Sequence, residues 1–63
     1  MRNKLKELRE AKGLSQEELA EISGVSRGTI SALENEKAEV VKTDTLIKLS
    51  DALGEKISRI FFS

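Results

Sequence analysis

The sequence predicts an all-α fold of five short helices, and three observations carry that prediction. The 63-residue chain has no proline, and 35% of its residues are charged. Such a chain lacks the residue that most strongly breaks a helical hydrogen-bond ladder. Gly13, Gly24 and Gly54 fall between apolar runs with helical spacing, where glycine ends or bends a helix because it accepts a positive φ. Ser15 and Ser26 stand where two of those runs begin, and serine is a preferred N-cap.

The first helix is predicted over about residues 2–12, with Leu5 and Leu8 on one face, Arg9 beside them and Gly13 as the stop. The second carries the strongest signals. Ser15 with Glu18 three residues on is a capping box, and Leu14 with Leu19 forms a hydrophobic staple. Gln16, Glu17 and Glu18 put acid at the positive end of the helix dipole. This helix runs to about Ser23 and breaks at Gly24. The third begins after Ser26, runs to about Glu34, and has Ile30 and Leu33 as its apolar pair. The fourth starts at Thr43 or Asp44 and carries Leu46, Ile47, Leu49, Ala52 and Leu53 before Gly54. A short last helix or turn holds Ile57, Ile60 and Phe61 at i, i+3, i+4 spacing, and residues 35–42 form a connecting loop.

Sixty-three residues make one domain at most, and one without staples. There is no cysteine and no histidine. That excludes a disulfide framework, a Cys/His zinc site and any Cys- or His-based nucleophile. The acids are spread over solvent-facing helix positions rather than paired in a cleft. The expectation is therefore a protein that is no enzyme, with no cofactor, metal or small-molecule substrate. No apolar run approaches the ~20 residues of a membrane span, the N-terminal residues show no apolar signal core, and the cytoplasm fits.

The sharp signal is residues 16–35, which read helix, glycine turn, helix. Two short helices joined by a tight turn cross near 90–120°. Such a crossing needs a small residue where the helices meet, a positive φ in the turn, and apolar wedges between the helices. Ala20, Gly24, and Leu19, Val25, Ile30 and Leu33 have those types.

Residues 15–35, SQEELAEISGVSRGTISALEN, resemble the helix-turn-helix of the phage repressor/Cro family, also called the xenobiotic-response-element family. The flanks agree: Leu8-Arg9-Glu10-Ala11-Lys12-Gly13-Leu14-Ser15-Gln16 is similar to the family's approach to the motif. Thr45-Leu46 through Ala52-Leu53-Gly54 is similar to its fourth helix. The resemblance covers nearly the whole chain. It implies a sequence-specific, double-stranded DNA-binding regulator of transcription, with repressor as the expected role; phage-type repressors, restriction–modification controllers and antitoxins share this fold. It also implies a bacterial or phage-encoded homodimer acting on a palindromic operator.

At 100° per residue, Ser26, Ile30, Leu33 and Glu34 cluster on the inward side of the third helix. Gly28, Ser31, Ala32 and Asn35 lie opposite, with Arg27 and Thr29 on the flanks. Small outward residues let a helix sit deep in a major groove about 12 Å wide. In this motif the N-terminal end of the recognition helix, about residues 27–34, meets the bases. Arg27, Gly28, Thr29 and Ala32 are the expected base contacts. Arg27 can donate two hydrogen bonds to guanine, Thr29 can offer its hydroxyl and methyl, Ala32 an apolar contact, and Gly28 close approach. Gln16, Ser26, Ser31, Asn35, Lys37 and Lys42 are the expected phosphate contacts, with Gln16 either on a phosphate or bracing Arg27. The resemblance also implies that Arg9 and Glu34 pair across the first and third helices.

Net charge is zero, which taken alone argues against binding through bulk charge. The distribution partly answers this: residues 1–14 carry five cations against two acids, and residues 15–36 one cation against five acids. The middle acids lie off the outward face of the third helix. One monomer neutralises few phosphates, so tight binding needs two copies. Ile57, Arg59, Phe61 and Phe62, with the loop before the fourth helix, are the expected dimer contact. Ile57, Ile60 and Phe61 also fit simple core packing, whereas Phe62 is harder to bury beside Phe61. Many relatives have glycine where this chain has Glu36. Either Asn35 takes the left-handed conformation, which asparagine tolerates, or Glu36 is strained. Ile22 is apolar without an obvious core role. The alternative function is a protein-interaction module that keeps the fold, for example antitoxin-like, with little DNA binding.

Overall fold

Five helices run through the residues that the computed structural model describes, 2–37 and 40–61. They are α1 (Leu5–Ala11), α2 (Gln16–Ser23), α3 (Arg27–Glu34), α4 (Thr43–Leu53) and α5 (Ile57–Ile60). The fold is all-helical, and four of the helix starts fall within a residue of where caps and periodicity put them.

The exception is α1, which starts at Leu5 rather than near residue 2. Its start is set by a non-local contact. Asn3 forms an antiparallel bridge with Phe61, and the Lys4 N–H donates to the Ile60 carbonyl at 2.7 Å. That pairing holds residues 3–4 outside the helix. The Asn3 side-chain oxygen then accepts the Leu5 N–H at 3.0 Å, satisfying a donor that a helix start leaves without a partner.

Leu5, Leu19, Ile30, Leu33, Leu49, Leu53 and Ile60 are the fully buried large side chains. All five helices supply at least one. Each such side chain contributes about 1.5–3 kcal/mol on burial, so no helix can leave without exposing part of the core. Leu8, Val25 and Phe61 complete the buried cluster, and Leu14, Ala20, Val41, Leu46, Ala52 and Ile57 pack against it. α2 packs on α3 and α4, α1 on α3, and α4 on α5. Ile22 and Ile47 stay outside, 57% and 46% exposed. The helical spacing of the fourth helix thus points four of its five apolar residues inward.

Phe61 corrects one expectation. It lies in the chain's own core, 8% exposed, because its bridge to Asn3 draws it under the N-terminal segment. It is therefore not available as a surface contact to a second copy. Ile57 is half-buried, and Arg59 is exposed and paired with Glu55 at 3.0 Å. Phe62 lies outside the described residues.

Candidate nucleic-acid interface

The start of α2 is locked by its own sequence. The Ser15 hydroxyl accepts the Glu18 N–H at 3.0 Å, and the Glu18 carboxylate accepts the Ser15 N–H at 2.9 Å. The Ser15 backbone bond first, then its side chain, holds the Glu18 carboxyl below the usual carboxylate range. At the other end Gly24 takes φ 77°, its N–H closing on the Ala20 carbonyl at 2.9 Å. Val25 drops into the core, and the chain turns into α3.

The first turn of α3 is held from within and leaves its outer side open. The Ser26 oxygen accepts the Thr29 N–H at 3.2 Å, and its hydroxyl donates to the Thr29 hydroxyl oxygen at 2.9 Å. Thr29 thereby keeps its own proton to donate outward. Arg27, Gly28 and Thr29 are all exposed. A Cβ added at Gly28 would meet nothing within 4 Å, and no left-handed φ calls for glycine there. Glycine inside a helix costs about 1 kcal/mol against alanine. The fold gives no return for that cost, whereas a surface that must approach the helix closely would.

The inner side of α3 is fixed by a buried ion pair. The Arg9 guanidinium grips both oxygens of Glu34, at 2.6 and 3.0 Å, and donates to the Leu14 carbonyl at 2.7 Å. The two side chains are 10% and 4% exposed. Burial pushes the Glu34 carboxyl up. The hydrogen bonds from Arg9 and Gln16, with the charges of Arg9 and Lys6, outweigh it and hold Glu34 below its ordinary value. The hydrogen bond to Glu34 raises the Arg9 pKa in turn, against the effect of burial.

Gln16 is where the sequence reading and the structure part. Its amide nitrogen donates to Glu34 at 3.0 Å, so it extends the buried pair instead of bracing Arg27. Its second amide hydrogen remains for an outside acceptor.

Ser31 and Ala32 are half-buried, and Asn35, Lys37 and Lys42 are exposed. The Asn35 amide donates to the Ser31 hydroxyl at 3.4 Å. Among the described residues no acid pairs with Arg27, Lys37 or Lys42. A cavity of about 280 Å³ opens between α3 and the start of α4, lined by Thr29, Leu33, Val40, Val41, Lys42 and Thr45. Arg27, Gly28, Thr29 and Ser26 thus form one exposed turn, with Lys42 across a concave wall from Thr29.

The end of α3 decides between the two alternatives for Asn35 and Glu36. Asn35 keeps φ −88°, and Glu36 takes the left-handed φ of 58°. The Glu36 N–H bonds to the Leu33 carbonyl at 3.1 Å and the Lys37 N–H to the Ala32 carbonyl at 2.9 Å. This is a Schellman closure with glutamate in the glycine position. The same Leu33 carbonyl accepts the Asn3 side-chain N–H at 2.8 Å, a contact the sequence reading missed. The preference of asparagine for positions just before a helix signals the local bond to Leu5 and carries no information on this one.

An exposed helix start, crossed by a preceding helix at a glycine turn and anchored beneath by a buried ion pair, defines a helix-turn-helix protein. The helix-turn-helix family model matches residues 5–60, and the chain belongs to that family. It is 41% identical over 63 residues to the uncharacterised HTH-type transcriptional regulator YgzD of Bacillus subtilis (strain 168), a match spanning 98% of this chain and 92% of the relative.

Proposed function

We propose that the chain is a sequence-specific regulator of transcription that binds double-stranded DNA through the first turn of α3. In this reading α3 enters the major groove. Arg27, Gly28, Thr29 and Ala32 meet base edges, and Gln16, Ser26, Ser31, Asn35, Lys37 and Lys42 meet phosphates. The observation that carries it is the exposed turn Arg27-Gly28-Thr29, with a glycine that the chain's own packing does not need. As a bacterial or phage-encoded regulator of this family, the protein would work in the cytoplasm.

In this reading the protein acts as a repressor, one that blocks a promoter by occupying it. Zero net charge supports a homodimer on a palindromic operator, because few phosphates are neutralised per copy. Ile57, Arg59 and Phe62, with the loop before α4, are the surface proposed for that contact. The same neutrality also favours the second reading, a protein-interaction module with little affinity for DNA.

Selection of duplexes from a randomised pool separates the two. The DNA reading expects a two-fold symmetric consensus whose half-sites lie about one helical turn apart. Arg27→Ala should then relax preference at one base position by about 1–3 kcal/mol. Lys37→Ala should weaken all sequences alike and lower the salt slope by about one. A pool that yields no enriched sequence would leave the interaction-module reading.

A further inference from the structure

We infer that Asn3 is a positioning residue for DNA binding: it holds the turn that closes α3, and through it the backbone of Lys37, in the shape presented to the DNA. This rests on the DNA-binding reading above.

Asn3 works in two directions at once. Its oxygen accepts the Leu5 N–H, and its amide nitrogen donates to the Leu33 carbonyl, 30 residues away, at 2.8 Å. Its place is set by the bridge to Phe61 and by the neighbouring bond from Lys4 to Ile60. The Leu33 carbonyl also accepts the Glu36 N–H, and a carbonyl's two lone pairs serve both donors. Asn3 therefore bonds to the acceptor on which the Glu36 turn closes.

That turn needs holding. Glu36 sits at φ 58°, a region that only glycine enters without steric cost. Such conformations persist where the surroundings over-determine them. Here the two closing bonds are joined by the Asn3 tether. Lys37 follows directly, its N–H bonded to the Ala32 carbonyl and its side chain exposed. A relaxed φ at Glu36 would swing Lys37 to a new place. Asn3 thus acts on DNA through Glu36 and Lys37 without being counted among the contact residues.

The test is a double-mutant cycle on affinity for a random-sequence duplex at low salt. It compares wild type, Asn3→Ala, Glu36→Gly and the double variant, with folding checked by circular dichroism. Asn3→Ala should weaken binding about 2–10-fold, the scale of one hydrogen bond, and speed amide exchange at Glu36 and Lys37. In the Glu36→Gly background the same substitution should cost under about 2-fold, because glycine holds a positive φ unaided. Equal losses in both backgrounds, or unchanged exchange at Glu36, would overturn the proposal. If Asn3→Ala does not fold, Asn3→Ser replaces it in the cycle, since its neutral hydroxyl keeps an acceptor for the Leu5 N–H and is too short to donate to Leu33. Should the wild type bind no duplex, the DNA reading fails and the DNA role of Asn3 with it. The exchange data still report separately whether the tether holds the turn.

Discussion

Three helices close with the same pair of hydrogen bonds, and they differ in the residue that turns left-handed. At the end of α1, Gly13 bonds to Glu10 and Leu14 to Arg9; at the end of α4, Gly54 bonds to Asp51 and Glu55 to Ser50. The glycines take φ 70° and 65°. The end of α3 makes the same closure with Glu36. The two closures that only connect helices are unstrained. The one beside the candidate interface carries a residue that resists its own conformation, and it is compensated by bonds from elsewhere. Helix α3 is anchored most firmly where it is buried, at Glu34, and its closing turn is strained two residues later, at Glu36, where it faces solvent. Local strain of this kind clusters at functional sites.

The largest expected effect comes from the anchor. Arg9→Ala or Glu34→Ala leaves a buried charge without its partner, a loss of about 3–5 kcal/mol. A chain this short has a total stability of roughly 3–9 kcal/mol. Either variant should therefore be largely unfolded or melt far below wild type in urea or heat. A double-mutant cycle should show strong coupling, and additive losses would remove the pair from the account.

The same pair sets an acid response. The folded-state pKa of Glu34 lies below its ordinary value. Its contribution is full above the unfolded carboxylate pKa of about 4.3 and is lost as pH falls through the depressed folded value. Urea midpoints should fall on acidification through that window. In Glu34→Gln the fall should be shallower, and an identical pH profile in the variant would contradict the assignment.

Smaller effects of opposite sign sharpen the comparison between closures. Gly13→Ala and Gly54→Ala have open space for the new Cβ, so their cost is the left-handed backbone alone, about 1–2 kcal/mol. Glu36→Gly should go the other way, stabilising by about 0.5–1 kcal/mol once the extra entropy of glycine in the unfolded chain is counted. Thermal melts of the three variants decide it. A loss of stability in Glu36→Gly would mean that the glutamate side chain contributes more than its backbone costs.

What was legible in the sequence was local. Ser15 with Glu18, Ser26, Gly24 and Gly54 each act within a few residues of themselves, and they place α2, α3 and the end of α4. The Arg9–Glu34 pair came from resemblance, and the side-chain geometry bears it out. The features that escaped are non-local. The start of α1 and the burial of Phe61 both follow from the pairing of Asn3 with Phe61, 58 positions apart in the chain. No periodicity reports such a pairing. The place of Gln16 at a helix start is local, but its amide bonds to the Glu34 carboxylate that Arg9 also grips, 18 positions further along the chain. Whether Asn35 or Glu36 would turn left-handed depended on which carbonyls were within reach.

Gly28 offers the most direct measurement on the central claim, that the first turn of α3 is approached closely by DNA. A Cβ added there meets nothing within 4 Å, and leucine is a better helix former than glycine. Gly28→Leu should therefore raise folding stability by roughly 0.5–1 kcal/mol and lower affinity for the selected duplex by at least about tenfold, by blocking entry into the groove. A variant that is more stable and binds the duplex as tightly as wild type would contradict the account.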